Sequence, residues 1–131
     1  MINPNTTKFK IPNKSQTQKI YDIRERTFKF AERILEIAEM LPSTPACNVI
    51  RTQLIKSGTS VGANMEEADG TVTKPDFVNK VVIARKEAKE THSWLKLIKN
   101  KYIKDEFIFS DVEEIREIIN IFSAIITKTR K

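Results

Sequence analysis

NVIRTQLIKSGTSVGANMEEAD, residues Asn48 to Asp69, carries two adjacent stripes when wound at helical spacing. Ile50, Leu54, Gly58, Val61, Met65 and Ala68 recur at intervals of 3 or 4 and form an apolar seam. Beside them Gln53, Ser57, Ser60, Asn64 and Glu67 recur at the same intervals and form a polar seam. Ser57, Gly58, Ser60, Gly62 and Ala63 are small, so a neighbouring helix can approach this one closely. The segment thus reads as a helix packed on two sides, and it sets an all-α expectation for the chain.

Working outward, Asp69-Gly70 marks the exit of this helix, with the glycine placed to take the left-handed conformation. Upstream, Pro42 ends a preceding helix, Ser43 or Thr44 caps the new one, and Pro45 sits in its first turn. The preceding helix starts near Thr17 with the seam Ile20, Ile23, Thr27, Phe30, Ile34, Ile37 and Leu41, and Phe28, Ala31, Leu35 and Ala38 are expected to widen its buried face. A third helix opens at Thr73, its cap, and follows a strict alternation through Phe77, Val81, Ala84, Ala88, Thr91, Leu95, Ile98 and Tyr102. From Pro75 to Ile103 it would span on the order of 43 Å at 1.5 Å per residue. After a short turn at Lys104-Asp105-Glu106, Ser110 and Glu113 form a capping box for a fourth helix. Its seam is Val112, Ile115, Ile119, Phe122 and Ile126, flanked by Ile118 and Ile125. The expected fold is an antiparallel up-down four-helix bundle over residues 17–131, preceded by a mobile basic arm over residues 1–16.

Composition agrees. The chain has 131 residues, with 3 glycines and 5 prolines, all the prolines outside the periodic segments. That scarcity of breakers favours long helices. No apolar run approaches the ~20 residues of a membrane span, and the first residues lack the apolar middle of a secretory signal. The expected address is the cytoplasm, with no membrane partner. The net charge of +6 is uneven: four lysines and no acid in residues 1–21, and eight bases against three acids in residues 76–104. Such asymmetry points to a polyanionic partner.

The third helix concentrates this charge. Arg85, Lys86, Lys89, Lys96 and Lys99 fall on one flank, away from Glu87 and Glu90, and make a phosphate-tracking face. Away from its seam the same helix shows Val82, Ile83, Trp94 and Leu97, and the fourth helix shows Ile121. Extra apolar surface of this kind marks an oligomer interface. In the polar seam, a buried Ser57 or Asn64 needs hydrogen-bond partners or costs about 1–3 kcal/mol, and Glu90 and Thr91 are the candidates. The seam either fixes packing or lines a cleft.

Catalytic machinery is not visible. His92 is the one histidine and Cys47 the one cysteine, which leaves no triad, no cysteine cage and no two-histidine metal site within a chain. Cys47 reads as a small core residue and His92 as a partly exposed neighbour of the seam. No enzyme activity, cofactor or metal is expected.

QLIKSGTSVGANMEEA (Gln53 to Ala68), Phe77 and IARKEAKETHSWL (Ile83 to Leu95) resemble the four-helix-bundle proteins encoded in intervening sequences of bacterial 23S ribosomal RNA. The likeness runs from about Tyr21 to Lys128, and Gln53, Ser57, Ser60, Asn64 and Glu67 match the family's pattern. Two positions depart from it: Lys56 stands for a usual arginine and Glu66 for a usual alanine. The resemblance implies an up-down bundle assembled as a homopentamer, without enzymatic activity. It also extends to the accessory proteins of diversity-generating retroelements, which are basic and bind nucleic acid and a reverse transcriptase. The function expected is therefore a non-enzymatic homo-oligomer that binds structured RNA or an RNA–DNA hybrid electrostatically. The alternative is a protein–protein adaptor whose apolar third-helix face docks a partner.

Overall fold

A computed structural model describes the backbone of residues 14–131 and the side chains of residues 23–131. Four helices follow one another: α1 (Lys14–Met40), α2 (Pro45–Asp69), α3 (Lys74–Ile98) and α4 (Asp105–Arg130). No strand occurs among the described residues, where an isolated bridge joins Lys99 and Ile103. Residues 1–13 of the expected arm lie outside the described residues, and residues 14–16 belong to α1.

Local chemistry explains most boundaries. Thr44 accepts a hydrogen bond from the Cys47 amide at 3.1 Å, with Pro45 in the first turn of α2. Thr73 does the same for the Asp76 amide at 3.2 Å at the start of α3. Three expectations are corrected. Gly70 closes α2 at φ −89° rather than in the left-handed region, because its amide turns back to the Glu67 carbonyl at 3.1 Å. Helix α3 stops at Ile98 instead of reaching Ile103, since Asn100 takes φ 62° and its amide bonds the Ile103 carbonyl at 2.7 Å. Helix α4 begins five residues before the expected capping box, at Asp105, whose amide donates to Asn100 Oδ1 at 2.8 Å. Ser110 and Glu113 therefore lie inside α4.

The apolar seams meet in one core. Ile34 and Ile37 of α1, Leu54, Val61 and Met65 of α2, Phe77, Val81 and Leu95 of α3, and Ile115, Ile118 and Phe122 of α4 are buried. Each such side chain contributes roughly 1.5–3 kcal/mol by leaving water. Cys47 joins this core as expected. Helix α2 touches α1 and α3, and α4 touches α3 and, more thinly, α1.

The small residues of α2 do what their size allows. A Cβ at Gly58 would sit 2.8 Å from Ile34 of α1, and one at Gly62 would sit 3.4 Å from Thr27 Oγ1. This close approach corrects another expectation. Phe28 and Leu35 do not widen the buried face of α1: they remain 65% and 45% exposed. With Gly62 against the Thr27 backbone and Gly58 against the Ile34 side chain, α2 sits close to α1, and Phe28 and Leu35 stay outside the contact.

Arginines tie α1 to its neighbours. Arg24 pairs with Glu66, and lies 3.7 Å from Asp69, on α2. Arg26 Nη2 reaches Glu114 at 2.6 Å, and Arg33 Nε donates to both oxygens of Asp111 at 3.1 Å, on α4. Glu66, one of the two departures from the family pattern, thus has a partner built for it. Asp111 is buried inside α4, and burial pushes its carboxyl above the ordinary aspartate value while Arg33 pulls it back.

Candidate nucleic-acid interface

The flank of α3 that turns towards α4 is marked by two contacts. Arg85 Nη1 donates to Ser123 Oγ at 3.2 Å, and Lys99 Nζ lies 3.7 Å from Asp105. At about 100° per residue, Lys89, His92 and Lys96 fall on this same flank between them, and Lys86 lies at its outer edge. Lys86, Lys89 and Lys96 are exposed and form no ion pair among the described residues. The five predicted cations are therefore brought together, but unequally: three are free, while Arg85 is half-buried against α4 and Lys99 is shared with Asp105. Glu87 and Glu90 sit on the opposite side of the helix, where Lys80 of α3 also meets Glu67 of α2 at 2.7 Å.

His92 lies half-buried in this flank. Burial pushes its imidazole below the ordinary value; Lys96 and Arg116 push the same way, and Glu113 opposes them. Arg116 and Glu113 belong to α4 and pair with each other at 3.2 Å. The sequence pattern of α4 offers no sign that Arg116 extends the cationic surface of α3, because that neighbourhood exists only once the two helices pack.

Towards the start of α3 the flank opens into a depression of about 460 Å³ lined by Lys74, Pro75, Val78, Asn79, Val82 and Arg130. Lys74 Nζ donates to the Lys131 carbonyl at 2.9 Å. Neither Lys74 nor Arg130 was singled out by periodicity, being placed there by the ends of two different helices.

The polar seam of α2 is divided rather than continuous. Ser57 is buried, and its Oγ lies 2.8 Å from Thr91 Oγ1, which also bonds the Glu87 carbonyl at 2.8 Å. Thr91 is thus the partner, and Glu90, which is exposed, is not. Ser60 donates to the Lys56 carbonyl at 2.6 Å and Asn64 Nδ2 to the Ser60 carbonyl at 2.8 Å, so both are satisfied within their own helix. Gln53 is half-buried, and Glu67 is exposed and paired with Lys80. Ser57 and Thr91 lock α2 to α3; the others line the edge of that contact.

The residues expected at an oligomer interface also separate. Val82, Trp94 and Ile121 are half-buried and pack against the core of their own chain. Ile83 is half-buried and Leu97 is 56% exposed. Phe107 and Phe109, which the seams passed over, are 56% and 57% exposed. No group of three or more His, Cys, Asp or Glu side chains able to hold a metal ion occurs among the described residues, and no helix among them is long and apolar enough to cross a membrane.

Comparison with known proteins bears on this architecture. A crystal structure of a protein of unknown function from the S23 ribosomal protein family, from Bacteroides thetaiotaomicron, superposes with a TM-score of 0.77 at 35% identity. The alignment covers 83% of this chain and 98% of that one. No curated protein matches the chain. The family model for the 23S rRNA-intervening sequence protein matches residues 19–124, and the chain belongs to that family.

Proposed function

We propose that this protein is a non-enzymatic, homo-oligomeric bundle, probed best as a pentamer, that binds structured RNA or an RNA–DNA hybrid through electrostatic contacts along α3. The observation carrying this is the set Lys86, Lys89 and Lys96, exposed on one flank with no carboxylate partner among the described residues. Three uncompensated cations attract phosphates without reading bases. The family's name links its members to 23S rRNA, a structured RNA of the required kind.

The up-down arrangement is supported by the order of contacts between neighbouring helices. Arg24 meets Glu66, Thr27 meets Gly62, Ile34 meets Gly58 and the Ala38 carbonyl meets Arg51, so rising numbers on α1 meet falling numbers on α2. Ser57 with Thr91, Glu67 with Lys80, and Lys74 with Lys131 follow the same rule. Self-association is supported by Phe28, Leu35 and Leu97, apolar side chains left exposed on one chain.

The test is affinity for an RNA duplex across a salt series. Log K should fall linearly with log salt, with a slope growing by about 0.7–0.9 per phosphate contacted. Combined Lys86→Glu, Lys89→Glu and Lys96→Glu should remove most of the affinity. Binding that ignores salt, or survives the triple reversal in a folded protein, overturns the assignment. One observation favours a second reading, an adaptor: Trp94 Nε1 is buried without a hydrogen-bond partner among the described residues, near exposed Leu97. Retention of a protein partner after nuclease treatment, lost in Leu97→Lys, would support it.

A further inference from the structure

We infer that the flank of α3 facing α4 around His92 is a phosphate seat, framed by Arg85, Lys89 and Lys96 of α3 and Arg116 of α4, in which phosphate and a proton on His92 bind together. This rests on the nucleic-acid reading above and adds to it a defined subsite and a pH dependence. Lys89 and Lys96 stand three and four residues from His92, so on a helix both are its immediate neighbours on one face. Arg85 lies two turns away on that face and is held towards α4 by Ser123. From α4 come Arg116 and its partner Glu113, the one acid acting on the imidazole among the described residues. The cluster therefore presents cations from two helices around a single titrating group, and Arg116, 61% exposed, is free to leave Glu113 for an incoming anion.

The sign of the coupling follows from these charges. In the unliganded protein burial and the nearby cations hold the imidazole below its ordinary value, so it is neutral at neutral pH. A phosphate among the same residues offsets the cations and accepts a hydrogen bond from the protonated ring. Binding and proton uptake then favour one another. A one-unit rise in the His92 pKa on binding corresponds to a tenfold tighter complex at low pH than at high pH.

Because His92 is the sole histidine of the chain, its ring Hε1 proton gives one NMR signal that can be followed against pH without residue-by-residue assignment. The titration is run on the full-length protein alone, with a 20-base-pair RNA duplex, and with inorganic phosphate. The expected result is a midpoint below the ordinary histidine value in the free protein, raised by about one unit by RNA, alone or with phosphate too. Affinity for RNA should rise about tenfold from pH 8 to pH 5.5, and His92→Gln should abolish that rise. Glu113→Gln should tighten binding and Arg116→Glu should weaken it. If RNA binds with salt dependence and the His92 midpoint does not move, the seat is overturned while the lysine face stands. If RNA does not bind at any pH at low salt, both fall.

Discussion

One methyl group added at Gly58 and one added at Gly62 should have opposite consequences. At Gly58 it meets two carbons of Ile34 at 2.8 Å, in the middle of the α1–α2 contact, and neither helix can yield without moving the core. Gly58→Ala should destabilise the protein by about 1–3 kcal/mol. At Gly62 the methyl group meets Thr27 at 3.4 Å, an ordinary contact. There the helix-favouring alanine should stabilise by up to about 1 kcal/mol. Urea titration of the two variants checks both signs. His92 supplies a pH prediction at the same scale. Its folded-state value is depressed, so the unfolded chain binds the proton more readily as pH falls below the ordinary histidine range. Stability should therefore decline as pH drops through that range. In His92→Gln, ΔG of unfolding between pH 7 and pH 5 should decline less steeply.

Among the elements, the α3–α4 turn holds the largest departure from what periodicity suggests. The alternation through Tyr102 continues past the end of α3, and Tyr102 does pack on the core, half-buried, from a turn rather than from a helix. Hydropathy spacing records which side chains are inside, not which backbone conformation delivers them. The stop comes from Asn100, whose left-handed backbone and side-chain acceptor for the Asp105 amide serve two helices at once. Asn100→Ala should cost about 2 kcal/mol, from the unfavourable φ and the lost cap together, while Asn100→Gly should recover the backbone part; thermal denaturation separates them. The other boundaries were legible because Thr44, Thr73 and the prolines beside them act within a few residues of chain. In α1, by contrast, Phe28 and Leu35 lie on an arc that spacing alone assigns to the core, and only the closeness of α2 leaves them outside.

Across the whole molecule, the candidate site is defined by which charges remain after pairing. Lys86, Lys89 and Lys96 were readable as a cluster from one helix, but their freedom was not. Some of the pairs that consume the other charges join residues 42, 88 and 78 positions apart: Arg24–Glu66, Arg26–Glu114 and Arg33–Asp111. Such partners, like the approach of Arg116 to His92, exist only in three dimensions. Removing one of them tests the same point: Arg33→Met would leave the buried Asp111 carboxylate without its cation and should cost about 3 kcal/mol, read by urea titration.

Of the contacts between neighbouring helices, that of α1 with α4 is the smallest among the described residues, and Arg26 with Glu114 and Arg33 with Asp111 span it. Beneath these ion pairs α1 and α4 share the apolar core, so dissolved salt weakens the more exposed Arg26–Glu114 pair more than the Arg33 pair with buried Asp111. In concentrated sodium chloride the amides of α1 that face α4 should exchange with deuterium sooner than those of α2 and α3.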